Sequence, residues 1–376
     1  MSAKAAAAAK RGHPWIYTQP GDSTFTNLPV GQSIELLDTT GKTLGYGLNE
    51  AGEMIAARVY DRKAPVDPDY FHRRLRHCVD QRRPVRKITD AIRILHGEND
   101  GIPGVVLDQY NDYGVLKLYS AALLPWQDHI SEAVRETELF TGVYCSFSRR
   151  LQQQDSVLYG DVPEKIRIIE NGMRFDVDVR RGQKTGFFID QRDGRALAGR
   201  LAEDMTVLNC FSYTGGFSVA AMLGGAKKVV SVDVSAGAVA AGIEHIELNC
   251  PSIADRHEAF SADVWEYLRG GGNRFDLIIL DPPALTTDKQ SLPQAQKAYR
   301  SLHTAALKRL QRGGTLLTCS CSARMTEPMF LELVTSTAEA ANRKLKLVET
   351  LKQPPDHPTR KNFPEGQYLK VLLFNE

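Results

Sequence analysis

From Thr206 to Cys319 the chain alternates between short apolar runs and helical stretches, and that rhythm constrains its fold more than any other feature. Thr206–Cys210, Lys228–Asp233, Phe275–Leu280 and Gly314–Cys319 read as strands. Helices are expected near 217–223, 236–249 and 295–310 between them. The run Phe-Asp-Leu-Ile-Ile-Leu at 275–280 is nearly all apolar, as a strand must be when both faces of its sheet are covered. Strand–helix alternation of this kind predicts an α/β fold with a doubly wound, mostly parallel sheet, Rossmann-like, and a ligand crevice at the carboxyl ends of its strands.

The earlier chain has a different texture. Ser33–Asp38, Lys42–Gly47 and Met54–Tyr60 read as short strands, with Gly45 and Gly47 as bulges, predicting a small β-barrel or sandwich over residues 1–66. A helix from Pro68 to about Val85, strands at Val105–Leu107 and Tyr113–Tyr119, and a helix near 126–136 predict an α+β middle domain over 67–165. The remainder, 166–376, opens on a hairpin whose strands flank Asn171-Gly172, the strongest short hairpin signal.

Composition narrows the class. Hydrophobic residues are 42% and charged residues 24%, with 47 Lys+Arg against 45 Asp+Glu, which excludes a disordered or histone-like chain. The alanine-rich start is too short and weakly apolar for a secretory leader, and no run reaches the ~18 apolar residues of a membrane span. Six scattered cysteines (78, 145, 210, 250, 319 and 321) form neither a disulfide framework nor a zinc set. A reduced, cytoplasmic protein without metal or membrane contact is expected. Charge is nevertheless clustered: nine basic residues against three acids between Arg62 and Lys87, a local +6. Such a stripe is either a solvated helix face or a surface for nucleic-acid phosphates.

The expected crevice carries the chemistry. The first strand of the parallel unit ends in Asn209-Cys210-Phe211-Ser212-Tyr213-Thr214-Gly215-Gly216, a turn that lets a ligand approach the backbone but lacks the G-x-G-x-x-G dinucleotide pattern. Asp233 ends the second strand, eighteen residues after Gly215, where an acid accepts bonds from both ribose hydroxyls. Asp263 follows the expected third strand, placed for an adenine edge, and Asp281-Pro282-Pro283 ends the fourth. Any one of these acids alone reads as a helix cap. Together and in this order they fit S-adenosylmethionine better than NAD and disfavour an oxidoreductase.

Three stretches, Gly182–Asp193, Leu208–Phe217, and Asp356-His357-Pro358 with Pro364–Lys370, resemble the RlmI-type methyltransferases. The resemblance covers nearly the whole chain, and Gly12–Tyr17 resembles the opening strand of that family's PUA domain, a small RNA-binding barrel. It implies 5-methylcytosine formation in large-subunit (23S) ribosomal RNA with S-adenosylmethionine as cofactor. It also implies that the loop Gln183–Gln191 folds over the cofactor. Lys184, Thr185 and Gln191 then become donors to the methionine carboxylate, Asp190 a partner of its ammonium group, and Phe187 or Phe188 a wall. Asn209, Phe211, Gly215, Asp233, Asp263 and Asp281 complete the implied cofactor set. Two positions depart from the family pattern: Ala284 follows Asp-Pro-Pro where a Lys is frequent, and Cys319 accompanies Cys321 where relatives have one Cys.

Cytosine carbon 5 is a weak nucleophile, so its methylation calls for a thiolate that adds to carbon 6. Cys321 is the expected nucleophile, with Cys319 a buried or spare thiol, and Asp281 the group that hydrogen-bonds the base. Two other functions remain at this point: a guanine N-methyltransferase of ribosomal RNA, whose Pro-Pro is usually followed by a stacking aromatic rather than Ala284, and a non-catalytic RNA-binding assembly factor. The expected partner is ribosomal RNA or an assembling large subunit. A homodimer is compatible with the sequence but carries no signal in it.

Overall fold

The computed structural model describes residues 1–19, 24–52, 54–286 and 290–376, which divide into two compact units. The first gathers Met1–Ile168, Val177–Ile189 and Pro355–Gly366; the second gathers Ile169–Asp176, Asp190–Pro354 and Gln367–Glu376.

In the first unit the alanine run is a helix, α1 (Ala3–Lys10), capped by the Ser2 side chain on the Ala5 N–H. Alanine is the best helix former, and Ala5 and Ala9 pack on Ile16, Ile34 and Leu36 in a small core. Strands β1 (Trp15–Tyr17), β2 (Ser33–Leu37), β3 (Thr43–Asn49) and β4 (Ile55–Asp61) form an antiparallel sheet in the order β1-β4-β3-β2. Its register shifts around Gly45 and between Tyr46 and Gly47, where bulges were expected.

A second sheet follows. Helix α2 (Pro68–Arg82) begins on an Asp67 cap and precedes β5 (Ala91–His96), α3 (Gly97–Asp100), β6 (Val105–Tyr110) and β7 (Tyr113–Leu118). Helix α4 (Gln127–Arg135), β8 (Gly142–Phe147) and β9 (Ser156–Tyr159) complete it, in the order β5 to β9. Only β7 and β8 pair in parallel, because α4 supplies the crossover that parallel strands need. Phe71, Leu75, Ile94, Leu116 and Ile130 form its core. One member of the basic stripe lies inside this core: Arg82 is buried, donating to Asp100 and to the Arg93 carbonyl. The stripe is therefore less than the +6 counted from sequence.

Strands β10 (Lys165–Glu170) and β11 (Met173–Asp178) form the Asn-Gly hairpin, with φ of +49° at Asn171 and +81° at Gly172, the left-handed pair a tight hairpin turn requires.

The second unit is built on a seven-stranded sheet. Its elements run α5 (Arg192–Leu201), β12 (Thr206–Cys210), α6 (Gly216–Leu223), β13 (Lys228–Asp233), α7 (Ala236–Asn249), β14 (His257–Ser261) and α8 (Val264–Arg269). They continue with β15 (Phe275–Leu280), α9 (Leu292–Arg309), β16 (Leu310–Ser320), α10 (Glu327–Ala340), β17 (Lys346–Leu351) and β18 (Lys370–Asn375). The order is β14-β13-β12-β15-β16-β18-β17. The first five strands are parallel, and β18 lies antiparallel between β16 and β17. Leu208, Val230, Ile278, Leu316 and Phe330 fill the core. The strand order reverses at β12, which pairs with β13 on one side and β15 on the other; a crevice opens at such a reversal.

Behind β16, the fully buried His303 of α9 donates from Nδ1 to the Tyr299 carbonyl (2.7 Å), and its Nε2 is hydrogen-bonded to the Thr318 hydroxyl (2.9 Å). Burial lowers its pKa to about 4. Between pH 6.5 and 4 the unfolded chain therefore binds a proton that the folded chain refuses, so stability falls as pH drops through that window. Urea unfolding midpoints measured from pH 7 to 4 should decline, and His303→Gln should flatten that decline. An equal slope in the variant would assign the acid sensitivity elsewhere.

Candidate active site

The turn that leaves β12 is strained. Phe211 (φ +60°) and Tyr213 (φ +47°) are left-handed without being glycine, an arrangement that costs of order 1–3 kcal/mol per residue and recurs at functional sites. Gly215 (φ +76°) then starts α6; a Cβ there would lie 3.1 Å from the Gly242 Cα of α7. Two glycines thus let α6 and α7 close on one another. The turn is held by backbone and side chain: the Ser212 N–H donates to the Val232 carbonyl, and the Tyr213 N–H donates to Asp233 Oδ2 at 2.9 Å.

Asp233, half-buried at the end of β13, also accepts the Ser235 N–H on Oδ1 at 2.9 Å. The acid proposed to meet a ribose is thus first the clamp of the turn. Each carboxylate oxygen has a second lone pair for a hydroxyl donor. Phe211 packs edge-on against Trp265, ring centres 5.3 Å apart. Asn209 is fully buried and donates to the Ser218 hydroxyl, fastening α6 to β12. Asp263 is exposed and caps α8 through the Glu266 N–H, which is the plain role such an acid has after a strand.

A second cluster lies at the carboxyl ends of β15 and β16. Gln191 is buried and donates to Asp281 Oδ1 at 2.8 Å; next to it, buried Asp190 accepts the Tyr368 hydroxyl at 2.8 Å. Cys319, on β16, is fully buried and touches both Gln191 and Asp281; burial, then the Asp281 carboxylate, push its thiol well above the ordinary range. Cys321 lies just past the strand end, half-buried, with its Sγ 3.9 Å from the Pro282 carbonyl. The strand stops at Ser320, so Cys319 lies within it and Cys321 outside it.

Gln183, Thr185 and Phe187 belong to the first unit. Thr185 is buried there between Asp108 and the Tyr110 hydroxyl, which also accepts the Phe187 N–H. Gln183 is exposed, its carbonyl accepting the Gly186 N–H. Asp356, from the quoted Asp-His-Pro, also lies in that unit and accepts the Arg93 N–H. Sequence reasoning assigned no task to Tyr368 or Lys370, although both stand in the motif it singled out. Lys370 opens β18, is buried, and donates to the Ser322 and Tyr368 carbonyls. No helix among the described residues is long and apolar enough to cross a membrane.

The left-handed turn, the glycine contact and the acid at the end of the adjacent strand fit a nucleoside bound at the reversal of strand order. Residues 144–375 match the model of the S-adenosylmethionine-dependent methyltransferase family, and residues 1–62 match a PUA-like domain. Fold and crevice thus define an S-adenosylmethionine-dependent methyltransferase with a PUA-like N-terminal domain. The chain is 36% identical over 378 residues to a ribosomal RNA large subunit methyltransferase I of Aliivibrio fischeri, covering 96% of this chain and 95% of that one. The Aeromonas salmonicida relative of the same name matches equally over 378 residues. Among solved structures, a Streptococcus mutans protein described as a SAM-dependent methyltransferase matches at 27% identity and a TM-score of 0.86, over 100% of this chain and 98% of that one. A methyltransferase complexed with S-adenosylhomocysteine matches at 27% and 0.87, over 99% and 98%. This chain belongs to the ribosomal RNA large subunit methyltransferase I family.

Asp233→Ala should weaken S-adenosylmethionine binding by roughly 1.5–3 kcal/mol, the range for hydrogen bonds to a charged acceptor. Calorimetric titration checks this, and an unchanged affinity would remove Asp233 from the site.

Proposed function

We propose that this protein methylates carbon 5 of a cytosine in large-subunit (23S) ribosomal RNA through a covalent bond from Cys321 to carbon 6. The observation that carries this reading is the contrast between the two thiols. Cys321 is half-buried beyond the end of β16 and near Pro282, whereas Cys319 is fully buried against Asp281 and Gln191. S-adenosylmethionine supplies an electrophilic methyl group, bound with Asp233 toward the ribose and with Asp190 and Gln191 toward the methionine end. The Cys321 thiolate adds to carbon 6, which makes carbon 5 nucleophilic enough to take the methyl. A base then removes the carbon-5 proton, the carbon–sulfur bond breaks, and the thiolate and the aromatic ring are restored. Asp281, oriented by Gln191, hydrogen-bonds the ring nitrogen or amino group of the base and favours the protonated adduct. Ala284 after Asp-Pro-Pro offers no stacking platform, which supports cytosine over a guanine amino group.

Cys321→Ala should abolish methylation with cofactor affinity retained, and bisulfite sequencing of ribosomal RNA from a strain lacking the gene should lose one 5-methylcytosine. RNA containing 5-fluorocytosine should trap an adduct on the wild type alone. An adduct that survives Cys321→Ala and disappears in Cys319→Ala would move the nucleophile to Cys319. Failure of the wild type to bind S-adenosylmethionine would favour the assembly-factor reading.

RNA is held, on this reading, by the barrel of 1–66 and the adjoining part of the 67–165 domain, with catalysis in 166–376. The support is a cleft of about 610 Å³ lined by Lys10, Arg11, Arg62, Lys63, Arg74 and Arg360, with Asp61 the acid among its lining residues. Burial, then the facing Arg74 charge, holds the Arg360 guanidinium below its ordinary value. Two cations that repel each other in a half-buried cleft are relieved by a phosphate between them. Single-stranded or loop RNA is expected, since the target base must be unstacked. Replacing Arg74 and Arg360 together by Gln should lower the slope of log affinity against log salt by about one to two, at ~0.7–0.9 per phosphate contact. A slope and affinity equal to wild type would return the cleft to ordinary solvated surface.

A further inference from the structure

We propose that Lys370 is a positioning residue that holds Cys321 as its thiolate, the ammonium supplying the counter-charge to the sulfur. The inference rests on the covalent reading above and adds to it the group that activates the nucleophile.

The placement follows from the sheet. Lys370 pairs across the antiparallel ladder with Ser320, the last residue of β16. Its Nζ donates to the carbonyl of Ser322. The side chain therefore bridges from the residue before Cys321 to the residue after it. A second bond, to the Tyr368 carbonyl at 2.7 Å, fixes the ammonium from the segment just before β18. Lys370 is 4% exposed, and among the described residues it forms no ion pair with a carboxylate. A buried cation bonded to neutral carbonyls is costly unless an anion lies close. Burial lowers the Lys370 pKa to about 8, and of the groups that oppose that fall the Cys321 sulfur acts most, ahead of Glu327. The ammonium is still mostly protonated at neutral pH. The charge that raises the lysine's affinity for its proton must lower the cysteine's by the same coupling, and thiols beside cations ionise below the ordinary value of about 8.5. The Asp281 carboxylate, touching Cys319, opposes ionisation of that thiol, whereas the charge coupled to Cys321 is the Lys370 ammonium. The arrangement delivers a nucleophile already deprotonated, so no base need reach the sulfur first.

The test is the pH profile of Cys321 alkylation by iodoacetamide, followed by mass spectrometry of the modified peptide in the full chain. The wild-type midpoint should lie below 8.5. Lys370→Met should raise it by one unit or more, and Lys370→Arg should restore at least half of that shift, with S-adenosylmethionine affinity checking the fold of each variant. A folded Lys370→Met protein with an unmoved midpoint overturns the proposal. Should that variant not fold, a wild-type midpoint at or above 8.5 overturns it without any substitution. The outcomes stay separate from those of the covalent reading. Methylation that persists in Cys321→Ala refutes the nucleophile, whereas an inactive Cys321→Ala with a Lys370-independent profile refutes only the role of the lysine.

Discussion

The parallel pairing of β12 with β13 on one side and β15 on the other is the constraint on which the second unit depends. Parallel strands aim their carboxyl ends in one direction, and a reversal in their order leaves the loops after β12, β13 and β15 diverging from one edge. Cys210, Asp233 and Asp281 stand at or just past those ends because the register sets them there. No individual contact has to bring them together. Ser231 pairs with Asn209, and Ile279 pairs with Asn209 from the opposite side. A slip of one residue would turn the acids from the crevice into the layers of helices.

Within that frame the acids are structural before they are chemical. Asp233 clamps the left-handed turn at Phe211–Gly215 through the Tyr213 N–H, and Asp281 is held by Gln191. Asp190 accepts the Tyr368 hydroxyl in the same way. A carboxylate fixed by donors on its rim loses little freedom on binding a further donor, which lowers the entropic cost of recognition. Strain at Phe211 and Tyr213 is sustained because these bonds over-determine the turn.

Much of this was legible in the sequence, for physical reasons. Phe275–Leu280 announces a strand covered on both faces, Asn171-Gly172 dictates its turn by backbone sterics alone, and Asp233 and Asp281 follow their strands directly. What escaped were features set by distant pairing. Nothing local in Lys370–Asn375 says that it enters the sheet antiparallel between β16 and β17, and so nothing local puts an ammonium on the Ser322 carbonyl. The same holds for Arg82, whose burial against Asp100 is invisible in a charge count. The alanine helix at 3–10 was read only for what it excludes, since eight residues with three buried methyls leave no clear periodic pattern. The strand read from sequence as ending at Cys319 runs one residue further, to Ser320; strand ends are where pattern reasoning is weakest.

The insertion of β18 between β16 and β17 also sets the order in which the sheet can close. Chains emerge amino-terminus first during synthesis, and β12 to β17 are complete before Lys370 is added. Until then β16 has an open edge where β18 will dock, with the ladder groups of Thr315 to Ser320 bare. The pairing runs from Ser320 with Lys370 to Thr315 with Asn375, residues fifty to sixty apart, a closure that is slow because loop entropy is lost before contacts compensate. A chain stopped after β17 would carry Asp190, Asp233, Asp281 and Cys321, yet present an unpaired β16 edge that can adhere to other strands. Closure of the β16 edge thus waits on a segment made after β17, and the antiparallel ladder is set across that delay.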